Sequence, residues 1–266
     1  MSVAGTYCRD VSRQLRYLAA WPPGLPAEVG SVGSFYGDKV FDAETKLGSF
    51  KISFGVEVSP NASQGELSYT SDGVSEFRIG AGGMLPSLDG GLVKAEAKVT
   101  ISFTAEHAIV FRASGLTYHT MLDQPQMARQ VARLIQTGEW NRDWHVVTQV
   151  VAASSSSVLI SNTSSAEVEL ALGAKVTAGG AELLSAQFSP KVVSQKQMST
   201  VFVDEGDLAP LFRAKRVKRT VFGNVKLKAG FGAADVSSIL DLDDDALEQA
   251  LFDEVDMVDE VVLGDG

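Results

Sequence analysis

Three histidines, one cysteine and thirty-three carboxylates are the groups with which this 266-residue chain could do chemistry. His107, His119 and His145 are isolated, and none falls in an HExxH or other metal-binding spacing. Cys8 has no partner base that would make it a nucleophile. GSVGSFYG near residue 30 lacks the GxGxxG spacing and the following helix of a phosphate-binding loop, so it reads as turns. DLDDDALEQALF opens like a calcium loop. Its sixth position is Ala246 where the sharp turn needs glycine, and its twelfth is Phe252 where a bidentate glutamate is required. There is no GxSxG elbow and no Walker loop. No catalytic residue, metal or cofactor is therefore expected, and the chain does not read as an enzyme.

Charge carries more information than catalytic chemistry. The net charge is −10, yet residues 233–266 hold twelve Asp and Glu and no Lys or Arg. That leaves 33 − 12 = 21 acids against 23 bases, so residues 1–232 sum to about +2. Just before the acidic run lies a cationic one, FRAKRVKRTVFGNVKLK, with Arg213, Lys215, Arg216, Lys218, Arg219, Lys226 and Lys228. Such asymmetry speaks of partners rather than of fold. The cations suit anionic lipid headgroups, at about 1 kcal/mol per basic residue near the surface. They equally suit nucleic-acid phosphates, or a strand docked to its own tail. In the tail, Leu247, Leu251, Val255, Val258 and Val262 recur every three or four residues, predicting an amphipathic helix over 244–262.

Periodicity supplies the elements. VKAEAKVTISF alternates strictly: Val93, Ala95, Ala97, Val99, Ile101 and Phe103 are apolar, with polar residues between them. This predicts a long strand with one dry face. Residues 166–176 repeat the pattern with Ala166, Val168, Leu170, Leu172, Ala174 and Val176. AIVFRA (108–113) is expected to pair back onto residues 93–103. WHVVTQVVAASSSSVLIS reads as two buried strands joined by a polar turn, and GAGGMLPSLDGG as a glycine-rich connector. Helices are predicted at 8–20, ended by WPPGLP, and after Asp123, a good N-cap with Pro125 in the first turn. Met127, Val131, Leu134 and Ile135 form the second helix's apolar stripe. Strands with a few helices between them give an α+β fold built on a twisted, mainly antiparallel sheet, closed by a short acidic amphipathic segment. A single cysteine forbids an intramolecular disulfide and fits a reducing compartment. Neither a secretory signal nor an 18-residue apolar stretch is present, so a cytoplasmic protein is expected.

An alternating strand of 9–11 residues is also long enough to cross a bilayer when its neighbours close a barrel. With the Cys8 region, a "Y…PPG" stretch closing at Gly24, and "W…HVVTQVV" after the mid-chain helix (similar to that family's "VVTE"-like strand, with Gln149 in place of the acid), the chain resembles a bacterial gasdermin. That resemblance implies a pore-forming body, residues 1–232, held inactive by a C-terminal tail, residues 233–266. A caspase-like or trypsin-like protease would remove the tail. The body would then move from cytoplasm to inner membrane, bind anionic lipid, assemble with itself into a large ring and insert strand hairpins around residues 93–113 and 166–193. Cell death in defence against phage would follow. Cys8 becomes the candidate for acylation, and the arrangement needs no nucleic acid. Cutting is placed in KAGFGAAD, in the basic run or within DLDDD.

Two other classes fit the same residues. One is a β-rich binding module whose basic segment, 213–228, binds nucleic acid or an acidic partner. The other is an enzyme with a site assembled from scattered Asp, Glu and His, which a deep polar pocket would favour.

Overall fold

Period-two alternation builds most of the molecule in the computed structural model. The structure describes residues 2–25, 27–37, 40–59, 65–86, 92–141, 143–176, 179–184, 186–188, 190–218 and 244–255. Thirteen described strands form two antiparallel sheets, which gives the α+β class. The larger sheet is centred on β9 (His145–Ser161). One edge of β9 pairs with β12 (Met198–Val217). Its other edge pairs with β8 (Ile109–Met121) and, at Val146 and His145, with β2 (Ser31–Tyr36). β3 (Val40–Lys46) extends β2, and β4 (Val56–Val58) and β5 (Glu66–Thr70) extend β8. On the outer edge of β12 lie two short strands, β1 (Leu18–Ala19) and β13 (Phe252–Glu254). The smaller sheet runs β11 (Lys191–Lys196), β10 (Glu167–Leu172), β7 (Leu92–Phe103), β6 (Val74–Pro86).

The alternating strand at 93–103 is β7, and its dry face is the one expected: Ala95, Ala97, Val99, Ile101 and Phe103 are buried and Val93 half-buried. Together with Val168, Leu170 and Leu172 of β10 it packs onto Val110 and Leu159 of the larger sheet. β10 ends at Leu172, four residues short of the predicted run, but Val176 still packs at the rim of this core. The neighbours of Val110 on β8, Ile109 and Phe111, point the opposite way, against Tyr7, Cys8 and Val11 of helix α1 (Val3–Leu15). A third cluster lies under helix α2 (Gln124–Thr137), where Met127, Val131 and Ile135 meet Met121, Trp140 and Val146. Each fully buried large apolar side chain is worth about 1.5–3 kcal/mol, so these three clusters hold the sheets and helices together.

Several expectations are corrected. Residues 109–113 do not return onto β7. β7 pairs with β6 and β10, as in Ile101 with Phe77 and Val99 with Leu170. A run buried on both faces, as Ile109, Val110 and Phe111 are, needs cover on both sides, which the central sheet supplies. The connector is a strand as far as Pro86: Gly80–Pro86 belong to β6, and a Cβ on Gly82 would stand 2.3 Å from the Ala95 carbonyl oxygen. The two strands of 144–161 are one, because Ser155, Ser156 and Ser157 sit inside β9 with both edges paired. Opposite Ser154, Gly115 takes φ +64, where a Cβ would lie 1.9 Å from the serine oxygen. The buried face of β8 changes parity there, from Ala113 to Leu116.

α1 begins at Val3 rather than residue 8, because Ser2 accepts a hydrogen bond from the Gly5 N–H and Tyr7 joins the buried stripe. Asp123 precedes α2 in the left-handed conformation (φ 55) and makes no side-chain cap; Gly138 closes the other end. Among its described residues the tail is a helix over α3 (Asp244–Leu251), which passes directly into β13 where helix was expected to continue.

Candidate functional site

The cationic and acidic runs meet. β12 would present a bare edge at Ala214–Val217, and β13 covers it in antiparallel register: Lys215 opposite Glu254, Arg216 opposite Asp253, Val217 opposite Phe252. Backbone bonds extend the seam, with the Lys218 N–H donating to the Leu251 carbonyl (2.8 Å) and the Val255 N–H to that of Ala214 (3.0 Å). An open strand edge is a template for another strand, and here the chain's own tail fills it.

Side chains add two kinds of contact. Lys215 of β12 pairs with Glu248 of α3, both largely buried. Lys218 donates to the Gln249 carbonyl at 2.7 Å and stands 3.5 Å from Asp253. Arg213 lies 3.7 Å from Glu254, its guanidinium 4.7 Å above the Tyr17 ring. The second kind is apolar. Leu251 (0% exposed) and Phe252 (6%) enter the cluster under α2, beside Val217 and Met127. Val255 packs against the α1 cluster. Exposed ion pairs are worth about 0–1 kcal/mol each, whereas each buried anchor contributes about 1.5–3 kcal/mol. The anchors therefore set how tightly the tail holds, and the charges set where it docks.

Of the cations named from sequence, Arg213, Lys215, Arg216 and Lys218 line this seam; Arg219, Lys226 and Lys228 lie outside the described residues. Of the tail stripe, Leu251 and Val255 pack as described, while Val258 and the Leu247 side chain lie outside what the structure describes, as do KAGFGAAD, the basic run beyond Lys218 and DLDDD up to Asp243. Phe252 was missed because it falls off a helical stripe. The adjacent apolar pair Leu251–Phe252, followed by DEV, was the available signal for a switch from helix to strand. Glu248, Asp253 and Glu254, which meet the cations, were not singled out either.

The membrane-facing candidates, Ala95 to Phe103 and Val168 to Leu172, all turn their apolar face inward in this conformation. On the wet face of the same sheet Lys98 binds Glu169 at 2.7 Å and Ser194 donates to it at 3.0 Å. These bonds, Lys98 first, hold the Glu169 carboxyl below its usual range. Cys8 is fully buried, 3.6 Å from the Ala19 carbonyl oxygen, and burial pushes its thiol up to about 12. Acylation of that sulfur requires α1 to move.

Among the described residues no three His, Cys, Asp or Glu side chains group as metal ligands. A cleft of about 570 Å³ opens beside Trp21, Leu25, Phe41 and Phe212, and its walls are mainly apolar, with Asp42 and Tyr36 among the few polar groups. Among the described residues no helix is long and apolar enough to cross a membrane. A scan of protein-family models and a search of curated proteins gave no match to this chain.

Proposed function

We propose that this chain is an autoinhibited pore-forming protein of the gasdermin kind, held in a soluble cytoplasmic form by its own tail. The observation that carries the reading is the seam: one acidic segment covers the strand edge, the cations Arg213, Lys215 and Lys218, and the apolar cluster under α2. Cutting by a caspase-like or trypsin-like protease between Lys218 and Asp244 frees that segment. The body left behind changes formal charge from −10 to about +2, so an anionic inner leaflet attracts what it had repelled. Copies then assemble into a ring, and β7 and β10 turn their dry faces outward to lipid, killing the cell. Cys8, once α1 lifts, accepts the acyl chain that strengthens anchoring.

The test is dye release from anionic liposomes by the full chain carrying an engineered protease site near Gly232, before and after cutting. Leakage only after the tail has been cut and released is the expected result. Leakage from neither form overturns the reading.

One observation favours a second reading. Adding β13 to the edge of β12 is the way many modules bind extended peptides. A binding module for an acidic partner would hold such a ligand on the uncovered edge and leave liposomes sealed.

A further inference from the structure

Arg213 does more than pair with the tail. At the point where it meets Glu254, a second cleft of about 190 Å³ opens at the C-terminal end of α1. Ser12, Arg16, Tyr17 and Arg213 line it from the body, and Glu254 and Val255 from the tail. Two of its polar atoms are buried without a hydrogen-bond partner: the Ser12 hydroxyl, on a residue 3% exposed, and Arg213 Nε. Buried polar groups left unpaired are costly, and each one needs a reason. Among the described residues, one tail carboxylate lines this cleft, and it is a poor partner. Glu254 stands 3.7 Å from Arg213, beyond hydrogen-bond range, and the pair is too exposed to matter much for stability.

We infer that this cleft is a phosphoryl-binding site, and that Glu254 of the tail occupies it as a stand-in carboxylate until the tail leaves. The donor set fits the ligand. Two guanidinium groups match the three oxygens of a phosphate better than the two of a carboxylate, and they bind it in forked pairs. Ser12, whose hydroxyl has no partner, lines the same cleft. A carboxylate so loosely held competes only because it is tethered, which gives it a high effective concentration. The ring of Tyr17 beneath Arg213 fixes the guanidinium in place whether or not the tail is there. This deepens the masking reading and rests on it for the tail's departure; the binding itself can be measured without any membrane.

The test uses the full chain with Glu254→Gln, which removes the competing carboxylate charge from the cleft while Leu251 and Phe252 keep the tail docked. Titrating inorganic phosphate by ³¹P NMR should give at least a tenfold lower Kd than for the natural chain, and adding Arg213→Gln should abolish the gain. If Glu254→Gln does not fold, the natural chain cut near Gly232 serves instead: phosphate should displace the tail at a concentration where chloride of equal ionic strength does not. Equal phosphate affinity with and without Glu254, a gain that survives Arg213→Gln, or displacement no better than chloride's overturns the site. Vesicles of phosphatidylcholine with and without phosphatidic acid identify the source. Capture of Glu254→Gln by phosphatidic acid, reversed by phosphate, assigns a lipid-borne group; phosphate binding without capture assigns a free one. A site that binds phosphate in a protein that never leaks liposomes stands while the pore reading falls. Leakage without phosphate binding does the reverse.

Discussion

A thiol buried against the Ala19 carbonyl, with its pKa pushed up to about 12, stays protonated at neutral pH. The cause is loss of water around the charged form, and it links Cys8 to stability at alkaline pH. The folded pKa lies above the ordinary value of about 8.5. The neutral thiol's contribution is therefore whole below about pH 8.5 and is lost as pH climbs towards 12. Tyr7 beside it is raised by the same burial and then by the neighbouring thiolate, and acts in the same direction from higher pH. Urea midpoints between pH 8 and 11 should fall more steeply for the natural chain than for Cys8→Ala, by up to about 1.4 kcal/mol per pH unit. Parallel curves would show that α1 already admits water around the sulfur. The same burial means that any reagent could reach the Cys8 sulfur only after α1 leaves the sheet.

At the scale of elements, the tail is a helix feeding a strand, and its grip depends on Phe252 more than on any charge. Phe252→Ala removes a ring buried beside Val217 and the α2 cluster, at a cost of about 3–5 kcal/mol where a core site cannot collapse. Amides of α3 and β13 should then exchange with solvent about a hundredfold faster or more, while those of β9 keep their protection. Unchanged exchange in the tail would mean that the ion pairs hold it. Why Phe252 was not legible is instructive. The spacing of Leu247, Leu251, Val255 and Val258 is genuine helical periodicity, but a strand edge was waiting at Ala214–Val217, and edge pairing overrode the local pattern. β9 shows the same effect. Four consecutive serines read as a turn, yet paired neighbours on both sides keep them in a strand, with Ser157 donating to the Leu184 carbonyl at 3.2 Å. Alternation in β7 was legible because it is local. Its partners were not, because choosing β6 and β10 over β8 depends on burial of both faces of residues 109–111. The meeting of cationic and acidic runs was legible from charge alone, while its register was not.

For the whole molecule the decisive quantity is how two attractions respond to salt. The body near +2 and the tail at −12 attract each other; in their seam Arg213–Glu254 and Lys218–Asp253 are partly exposed, while Lys215–Glu248 is largely buried. Salt screens the exposed pairs over about 8 Å at physiological ionic strength and leaves the burial of Leu251 and Phe252 untouched. Attraction of the body to an anionic bilayer has no such apolar anchor at first contact, so screening should weaken it far more. With the chain cut near Gly232, the Kd of the tail should rise by less than about tenfold between 50 and 500 mM NaCl, because the exposed ion pairs contribute only about 0–1 kcal/mol each and the buried Lys215–Glu248 pair is little screened. Over the same range, capture of the freed body by phosphatidylglycerol vesicles should fall by roughly a hundredfold, with about 1 kcal/mol at stake for each basic residue near the surface. Calorimetry and vesicle sedimentation at matched salt measure the two. Divergence of the curves would make low salt the condition that favours vesicle capture of a cut chain and high salt the condition in which the tail rebinds, as the proposed function requires. Curves that fall together would place the tail's affinity in its charges, and Glu248, Asp253 and Glu254 would then replace Phe252 as the residues that hold the tail in place.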